Sequence, residues 1–209
     1  MSRVITINID VVIAVASVAA AATLGTACED RKPGAEAPPS RVNASKTQAR
    51  QGATPEAFCD AYFPPGKGPA LKWPAMAPGP GAATPANVGW RWINVWATWC
   101  KPCIEEMPRL RSWREKLTTA GKPFELAFVS VDEGDAEVAE FRKAHPDAPP
   151  SMRLAEPGKY LPWFHDLGLP GEPPIPVHFV VDPSGQVRCA RAGGVREQDY
   201  AVIEKLLGN

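Results

Sequence analysis

The 209-residue sequence has no excess of charge of either sign, because its 23 basic residues equal its 23 acidic ones. A strongly basic surface for nucleic acid is therefore not expected. The longest apolar run, from Val11 to Leu24, is shorter than the roughly 20 residues that span a bilayer. The three histidines form no pair with the spacing of metal ligands. These absences argue against a nucleic-acid partner and against a bound metal.

The apolar run has the features of an export signal. Arg3 supplies a weak basic start, and small residues precede Cys28 at its end. This ending resembles a bacterial lipoprotein signal, in which the cysteine carries the lipid, although Leu24 lies one residue further from Cys28 than such signals usually have. Cleavage after another small residue and retention as an uncleaved anchor remain open. In each case residues 1–28 direct the folded part out of the cytoplasm.

Two segments separate this signal from the regular part of the chain. Residues 29–53 have almost no large apolar side chains, so we predict a disordered linker. Residues 54–89 are predicted to form an N-terminal extension that packs on the folded domain. Thr54 before Pro55 is typical of the start of a helix. That short helix is expected to carry Phe58, Cys59 and Tyr62, and a Pro- and Gly-rich extended stretch follows it.

From residue 90 onward the hydrophobic pattern becomes regular and predicts one α/β domain over residues 90–209. Continuous apolar runs indicate buried strands, and apolar residues at helical spacing indicate helices between them. Parallel βαβ units followed by an antiparallel hairpin are the arrangement of a thioredoxin fold. Pro108 is expected to kink the longest helix. The predicted elements are strand Trp90–Ala97, helix Pro102–Thr119, strand Phe124–Val131, helices Ala136–Ala144 and Lys159–Leu167, strands Val177–Val181 and Gln186–Ala192, and helix Arg196–Leu207.

Cys100 and Cys103 stand where the first of these strands meets the long helix. A helix N-terminus has unpaired N–H groups and a partial positive charge, which stabilise a thiolate and lower its pKa. We predict that Cys100, at the helix mouth, is the nucleophile and that Cys103, one turn further on, resolves the mixed disulfide. Lys101 adds positive potential, and Pro102 stiffens the short ring. The working group would be a redox-active disulfide without a separate cofactor.

Other interpretations of a Cys-x-x-Cys pair need further residues. A zinc site needs two more ligands, usually as a second close pair, but Cys59 and Cys189 are single. A purely structural disulfide is disfavoured by the tight ring at a strand–helix junction. The two thiolates would also suit Cu(I), so a copper-binding metallochaperone is the alternative function.

The run Asn-Val-Trp-Ala-Thr-Trp-Cys-Lys-Pro-Cys from Asn94 to Cys103, which continues to Glu105-Glu106-Met107-Pro108, resembles the periplasmic thioredoxin-like proteins of the TlpA/ResA type. A second similar block covers residues 175–185. The resemblance implies a membrane-tethered thiol–disulfide oxidoreductase on the periplasmic side of a bacterial membrane. It implies a protein-disulfide reductase, with targets such as apocytochrome c and copper-site assembly proteins, that is recharged by a membrane electron donor. We expect a monomer.

The same resemblance assigns residues to the substrate side of the dithiol. Pro176 matches the cis-proline of the fold, which lies against the dithiol and keeps a competing backbone N–H out of the site. This proline would present the backbone of Ile175 to the substrate chain. Trp99, Lys101 and Pro102, which flank the cysteines, are also expected to contact substrate.

Glu106 matches a helix carboxylate that lies close to the resolving cysteine in these proteins. It would accept and return the thiol proton during exchange. Asn94 stands where cytosolic thioredoxins have a buried Asp, which strengthens the assignment to Glu106. The alternative is a solvated carboxylate on the helix surface. His178 faces the same side of its strand as Pro176 and would either assist the dithiol or be a satisfied buried imidazole.

Two features remain outside these assignments. Residues 146–174 match the central insert of the family, whose aromatic residues would either pack on the sheet or form a partner surface: Tyr160, Trp163 and Phe164. Cys59 and Cys189 are expected to pair in an oxidising compartment. Such a bond would join the N-terminal helix to the last hairpin. It would stabilise the fold by roughly a few kcal/mol, because closing a long loop restricts the unfolded chain. Two unpaired buried thiols are the alternative.

Overall fold

A computed structural model describes residues 54–77 and 89–208. The predicted export segment with Cys28 and the predicted linker lie outside these residues. The described residues all belong to one unit that extends from residue 45 to residue 209. Within them, no helix has the length and apolar character that crossing a membrane requires.

One mixed sheet of six strands is the framework of the described residues. Its strands are β1 (Ala61–Tyr62), β2 (Trp90–Trp96), β3 (Phe124–Ser130), β4 (Ser151–Arg153), β5 (Val177–Val181) and β6 (Val187–Ala192). They lie in the order β1-β6-β5-β2-β3-β4. Strands β2, β3 and β4 are parallel, and β5 is antiparallel to both β2 and β6. Parallel strands followed by an antiparallel hairpin confirm the predicted thioredoxin fold.

The long helix that follows β2 buries one face against the sheet. It begins with Pro102 in its first turn, where a missing N–H leaves no hydrogen bond broken. It continues through Pro108, and the kink expected there stays a prediction. Its core face contains Cys103, Met107, Leu110, Trp113 and Leu117. The α-helices in the described part are α1 (Pro55–Phe58), α2 (Lys101–Thr119), α3 (Asp135–Ala144), α4 (Tyr160–Asp166) and α5 (Tyr200–Leu206).

The helix of the N-terminal extension ends earlier than the sequence predicts, at Phe58. Cys59 is the C-cap of α1 with extended backbone angles, and Tyr62 lies in β1, so the predicted helix through both residues is wrong. The Asp60 N–H donates to the carbonyl of Ala190 in β6, and β1 then pairs with β6. Hydrogen bonds to the sheet edge therefore replace those of a longer helix.

Strands β1 and β4 have no counterpart in the sequence-based prediction. They contain two and three residues, which is too short for an alternating pattern to be recognised. The C-terminal helix also begins later than predicted, at Tyr200 rather than Arg196. The Asp199 carboxylate accepts a hydrogen bond of 2.8 Å from the Arg196 N–H, which forms a separate turn of 3₁₀-helix before α5.

The extension and the central insert contact each other through aromatic side chains. The ring centroids of Trp73 and Trp163 are 6.2 Å apart, and the Trp163 indole N–H donates to the carbonyl of Lys72 at 3.0 Å. Phe164 is fully buried and packs against Phe179 of β5. These two aromatic residues of the insert are therefore part of the core, as the packing alternative predicts, and not an exposed partner surface.

A disulfide joins Cys59 to Cys189, as expected from the sequence. It connects the end of α1 to β6 across 130 residues of sequence. The Arg191 guanidinium lies 4.3 Å from the ring centroid of Phe58 and donates to the Phe58 carbonyl at 2.7 Å. The extension is thus attached to the edge of the sheet by covalent, backbone and side-chain contacts.

Candidate active site

The dithiol lies at the N-terminus of α2, immediately after β2. Cys100 is the N-cap residue, and a disulfide joins it to Cys103 in the first turn. Cys100 exposes 4% of its surface and Cys103 exposes none. Cys100 is therefore the more exposed residue of the pair, and the order of attack stays a prediction.

A buried carboxylate holds the turn before the dithiol. Asp132 accepts hydrogen bonds from the Thr98 N–H, at 3.0 and 3.1 Å, and from the Thr98 hydroxyl, at 2.8 Å. It also accepts a hydrogen bond of 2.6 Å from the Ser130 hydroxyl. Sequence reasoning missed Asp132. The available signal was its position after β3, because the carboxyl ends of parallel strands meet at one edge of a sheet.

The predicted substrate side faces Cys100. The Ile175–Pro176 peptide bond is cis, and the Ile175 carbonyl oxygen lies 3.8 Å from the Cys100 sulfur. Pro176 is buried, and its carbonyl accepts a hydrogen bond from Gly193 at 2.8 Å. The structure therefore brings the loop before β5 to the Cys100 sulfur, the position that the resemblance implies.

The residues that flank the cysteines are open to solvent. Trp99 is 70% exposed, although large apolar side chains are normally buried. Lys101 and Pro102 are also exposed. These residues form the exposed surface beside Cys100, and their contact with substrate stays a prediction.

Glu106 is a buried residue and not a solvated one. It is 2% exposed, so the alternative of a carboxylate on the helix surface is wrong. Its Oε1 accepts a hydrogen bond of 2.8 Å from Asn94 Nδ2, and its Oε2 accepts one of 2.9 Å from the Val195 N–H. A Cβ atom at position 194 would lie 3.1 Å from Oε2, so the glycine there lets the loop that contains Val195 approach the Glu106 carboxylate closely. Glu106 lies one helical turn after Cys103.

His178 lies beside Glu106 and is 2% exposed. Its Nδ1 accepts a hydrogen bond of 3.1 Å from the Trp92 indole N–H and lies 3.4 Å from Asn94 Nδ2. Its Nε2 lies 3.4 Å from Glu106 Oε1. Sequence reasoning missed Trp92 as a polar partner. The available signal was its spacing of two residues from Asn94 on β2, which places both side chains on one face.

A cavity of about 740 Å³ borders both Pro102 and Glu106. The Pro-rich loop before β5 forms one wall, and charged side chains of both signs surround the space. A carboxylate that is almost fully buried therefore lies next to a space large enough for water or part of a partner.

The described residues offer few metal ligands near the dithiol. Across residues 54–77 and 89–208, no group of three or more His, Cys, Asp or Glu side chains is arranged to hold a metal ion. Cys100 and Cys103 are the soft ligands available, and they are joined in a disulfide. No observation in this region favours the Cu(I) alternative over thiol exchange.

Known proteins resemble this chain over the region that contains the site. Residues 91–187 match the profile of the Thioredoxin-like family. The thiol-disulfide oxidoreductase ResA of Bacillus thuringiensis subsp. konkukian is 30% identical over 95 residues, which are 46% of this chain and 50% of that protein. ResA of Bacillus subtilis is 26% identical over 116 residues, which are 54% of this chain and 60% of that protein.

A solved structure resembles more of the chain. The secreted thiol-disulfide isomerase of Corynebacterium glutamicum superposes with a TM-score of 0.54 at 19% identity, covering 75% of this chain and 96% of that one. At this identity the likeness concerns the fold alone. The chain spans about half the length of the curated ResA relatives, and the family match over residues 91–187 includes Cys100, Cys103 and Glu106.

Proposed function

We propose that this chain is a thiol–disulfide oxidoreductase that reduces disulfides of exported proteins. Its residues 91–187 match the profile of the Thioredoxin-like family, and its relatives include ResA. One observation carries the proposal. A Cys-x-x-Cys disulfide lies at a helix N-terminus, with one sulfur accessible, a cis-proline loop in front and a buried carboxylate behind. Each part has a function in thiol exchange.

The first step uses the helix N-terminus. The Cys100 thiolate, stabilised by the unpaired N–H groups of α2, attacks one sulfur of the substrate disulfide. A new bond forms between Cys100 and that sulfur, and the other substrate sulfur leaves as a thiolate. The exposed Trp99 and the backbone of Ile175 would orient the substrate chain.

The second step uses Glu106. Its carboxylate takes the proton of the Cys103 thiol, and the resulting thiolate attacks the Cys100 sulfur. The bond between Cys100 and the substrate breaks, and the second substrate sulfur leaves and gains a proton. Two electrons have then passed from the dithiol to the substrate, and the Cys100–Cys103 disulfide is formed. An external dithiol donor must reduce it for another cycle.

The cellular setting that we propose has its own support. The predicted export segment and the Cys59–Cys189 disulfide are both expected of a protein in an oxidising compartment. We therefore place the domain on the periplasmic side of a bacterial membrane, anchored by its N-terminal segment, with Cys28 as the candidate lipid site. Apocytochrome c and copper-site assembly proteins are the proposed substrate classes, and a membrane electron donor is the proposed source of reducing equivalents.

Trapping the mixed disulfide tests the proposal. We expect Cys103→Ser to accumulate a covalent complex between Cys100 and a disulfide-containing protein, because the resolving thiol is absent. Cys100→Ser should form no such complex and should lose reductase activity. Non-reducing electrophoresis and peptide mass spectrometry would identify the bond, with the double variant Cys59→Ala and Cys189→Ala as the control for loss of the other cysteine pair. Undiminished turnover in Cys100→Ser would exclude this function.

A further inference from the structure

The contacts of His178 determine which ring nitrogen carries a proton. Two N–H donors face Nδ1, from Trp92 at 3.1 Å and from Asn94 at 3.4 Å. A proton on Nδ1 would oppose both donors inside a buried site, so Nδ1 is the acceptor. The ring is therefore neutral, with its proton on Nε2. The close contact between His178 and Glu106 therefore joins a neutral N–H group to a carboxylate and is not an ion pair.

The Nε2–H of His178 is a buried donor that lies close to the Glu106 carboxylate. It makes no hydrogen bond of good geometry within the described residues, yet it lies 3.4 Å from Glu106 Oε1. Buried polar atoms without a partner are uncommon and require an explanation. Catalytic hydrogen bonds are often long in a resting structure and shorten during reaction. The nearby oxygen is the one that also accepts a hydrogen bond from Asn94.

We propose that His178 is a positioning residue, whose Nε2–H holds Glu106 as the ionised carboxylate that accepts the Cys103 proton. This role rests on the proposed thiol exchange. Burial disfavours a charged carboxylate, whereas each donated hydrogen bond favours it. With Asn94 and the Val195 N–H already donating, His178 supplies a third donor. Trp92 contributes by keeping the His178 proton on Nε2.

The ionisable surroundings of Glu106 come from several elements. Cys103 shares its helix, and His178 faces it from β5. The cavity beside it is also lined by charged residues of α2, β6, the extension and the C-terminal loop: Glu105, Arg109, Asp60, Arg191, Arg196 and Asp199. Changes at position 178 leave all of these groups in place, so an altered pH profile in such a variant reports the His178 contact.

Two substitutions separate the functions of the two ring nitrogens. An Asn side chain places its amide where Nδ1 was, so His178→Asn keeps an acceptor for Trp92 and removes the donor to Glu106. A Gln side chain reaches the Nε2 position, so His178→Gln keeps a donor to Glu106 and loses the acceptor. A purely structural role would require the acceptor to Trp92, whereas the proposed role requires the donor.

The experiment follows the reduced protein as it reacts with an aromatic disulfide that releases a coloured thiolate. The first phase of release reports attack by Cys100, and the second phase reports resolution by Cys103. We expect His178→Asn to slow the second phase about fivefold at about pH 6 and little at about pH 9. The reason is that a carboxylate that has lost a hydrogen-bond donor is protonated more readily in acid. His178→Gln should remain within about twofold of wild type at both pH values. The first phase should not change.

Three results would overturn the proposal. These are an unchanged second phase in His178→Asn, equal slowing of both phases at every pH, and a His178→Gln variant as slow as His178→Asn. Thermal melting of both variants checks that they fold. If Cys100 proves unreactive, the proposed function fails, but alkylation of Cys103 in Cys100→Ser with and without His178→Asn still tests the contact. Equal alkylation rates at about pH 6 would then count against it.

Discussion

The two disulfides of this protein have similar exposure and different surroundings. Cys59 and Cys189 are 4% and 1% exposed, and Cys100 and Cys103 are 4% and 0% exposed. One bond closes 130 residues and the other closes 3. Burial alone therefore does not distinguish a structural bond from a reactive one. The neighbouring groups do.

The pair that we propose to be reactive has four neighbouring features that the other pair lacks. Cys100 caps a long helix, faces the carbonyl of Ile175 and lies beside the exposed Trp99. Cys103 precedes the buried carboxylate of Glu106 by one helical turn. The other bond joins the end of a four-residue helix to a sheet strand. A helix terminus, an exposed side chain and a buried carboxylate therefore distinguish the surroundings of the two bonds.

Removing the structural bond should have the largest effect on stability. We expect Cys59→Ala with Cys189→Ala to lower the free energy of unfolding by about 4 kcal/mol, because the unfolded chain regains the freedom of a long loop. Denaturant unfolding with the Cys100–Cys103 pair kept oxidised would measure the loss. The folded double variant should retain reductase activity within about twofold, since the site's own contacts are intact. A stable but inactive double variant would show that the site depends on this bond.

Removing the proton acceptor should have the next largest effect, and only on the reactive pair. We expect Glu106→Gln to slow resolution by Cys103 about 100-fold at about pH 7, as loss of a general base does. The rate should recover as the pH approaches about 8.5, where an ordinary thiol ionises without help. Stopped-flow measurement of the second thiolate release gives the rate.

The matched control is the adjacent carboxylate. Glu105 is exposed on the same helix and lies within 3.7 Å of Lys101, so Glu105→Gln should leave the resolution step unchanged. If both substitutions slow resolution equally, the general charge of the helix matters and Glu106 has no special role.

Sequence reasoning identified the dithiol, and the family resemblance added the distant Pro176, but the buried contacts of Glu106 and Asp132 were missed. The dithiol and its helix follow from a strand, a Cys-x-x-Cys pair and a helical pattern that adjoin in sequence. The burial of Glu106 does not follow, because its partners Asn94, His178 and Val195 are 12 to 89 residues away and meet it only in the folded sheet. Asp132 was missed for the same reason.

The fold shows the same division between local and distant signals. The continuous apolar runs of β2 and β3 predict buried strands, because each strand has a neighbour on both sides. Strand β1 was missed because two residues are too few to show an alternating hydrophobic pattern. Its pairing with β6 also depends on residues that lie 127 to 129 positions further along the chain. The early end of α1 has the same cause.

The smallest expected effect concerns Lys101, which the sequence assigns a part in tuning the dithiol. Its side chain is 86% exposed and its ammonium lies 3.7 Å from the Glu105 carboxylate, so solvent and the neighbouring charge both weaken its field at Cys100. We expect Lys101→Ala to slow the first thiolate release by about twofold at low salt, and Glu105→Gln to accelerate it by about as much. Both effects should vanish at about 1 M salt, where the screening length is about 3 Å. A tenfold or larger effect of Lys101→Ala that persists in high salt would instead mean that Lys101 contacts the attacking sulfur or the substrate directly.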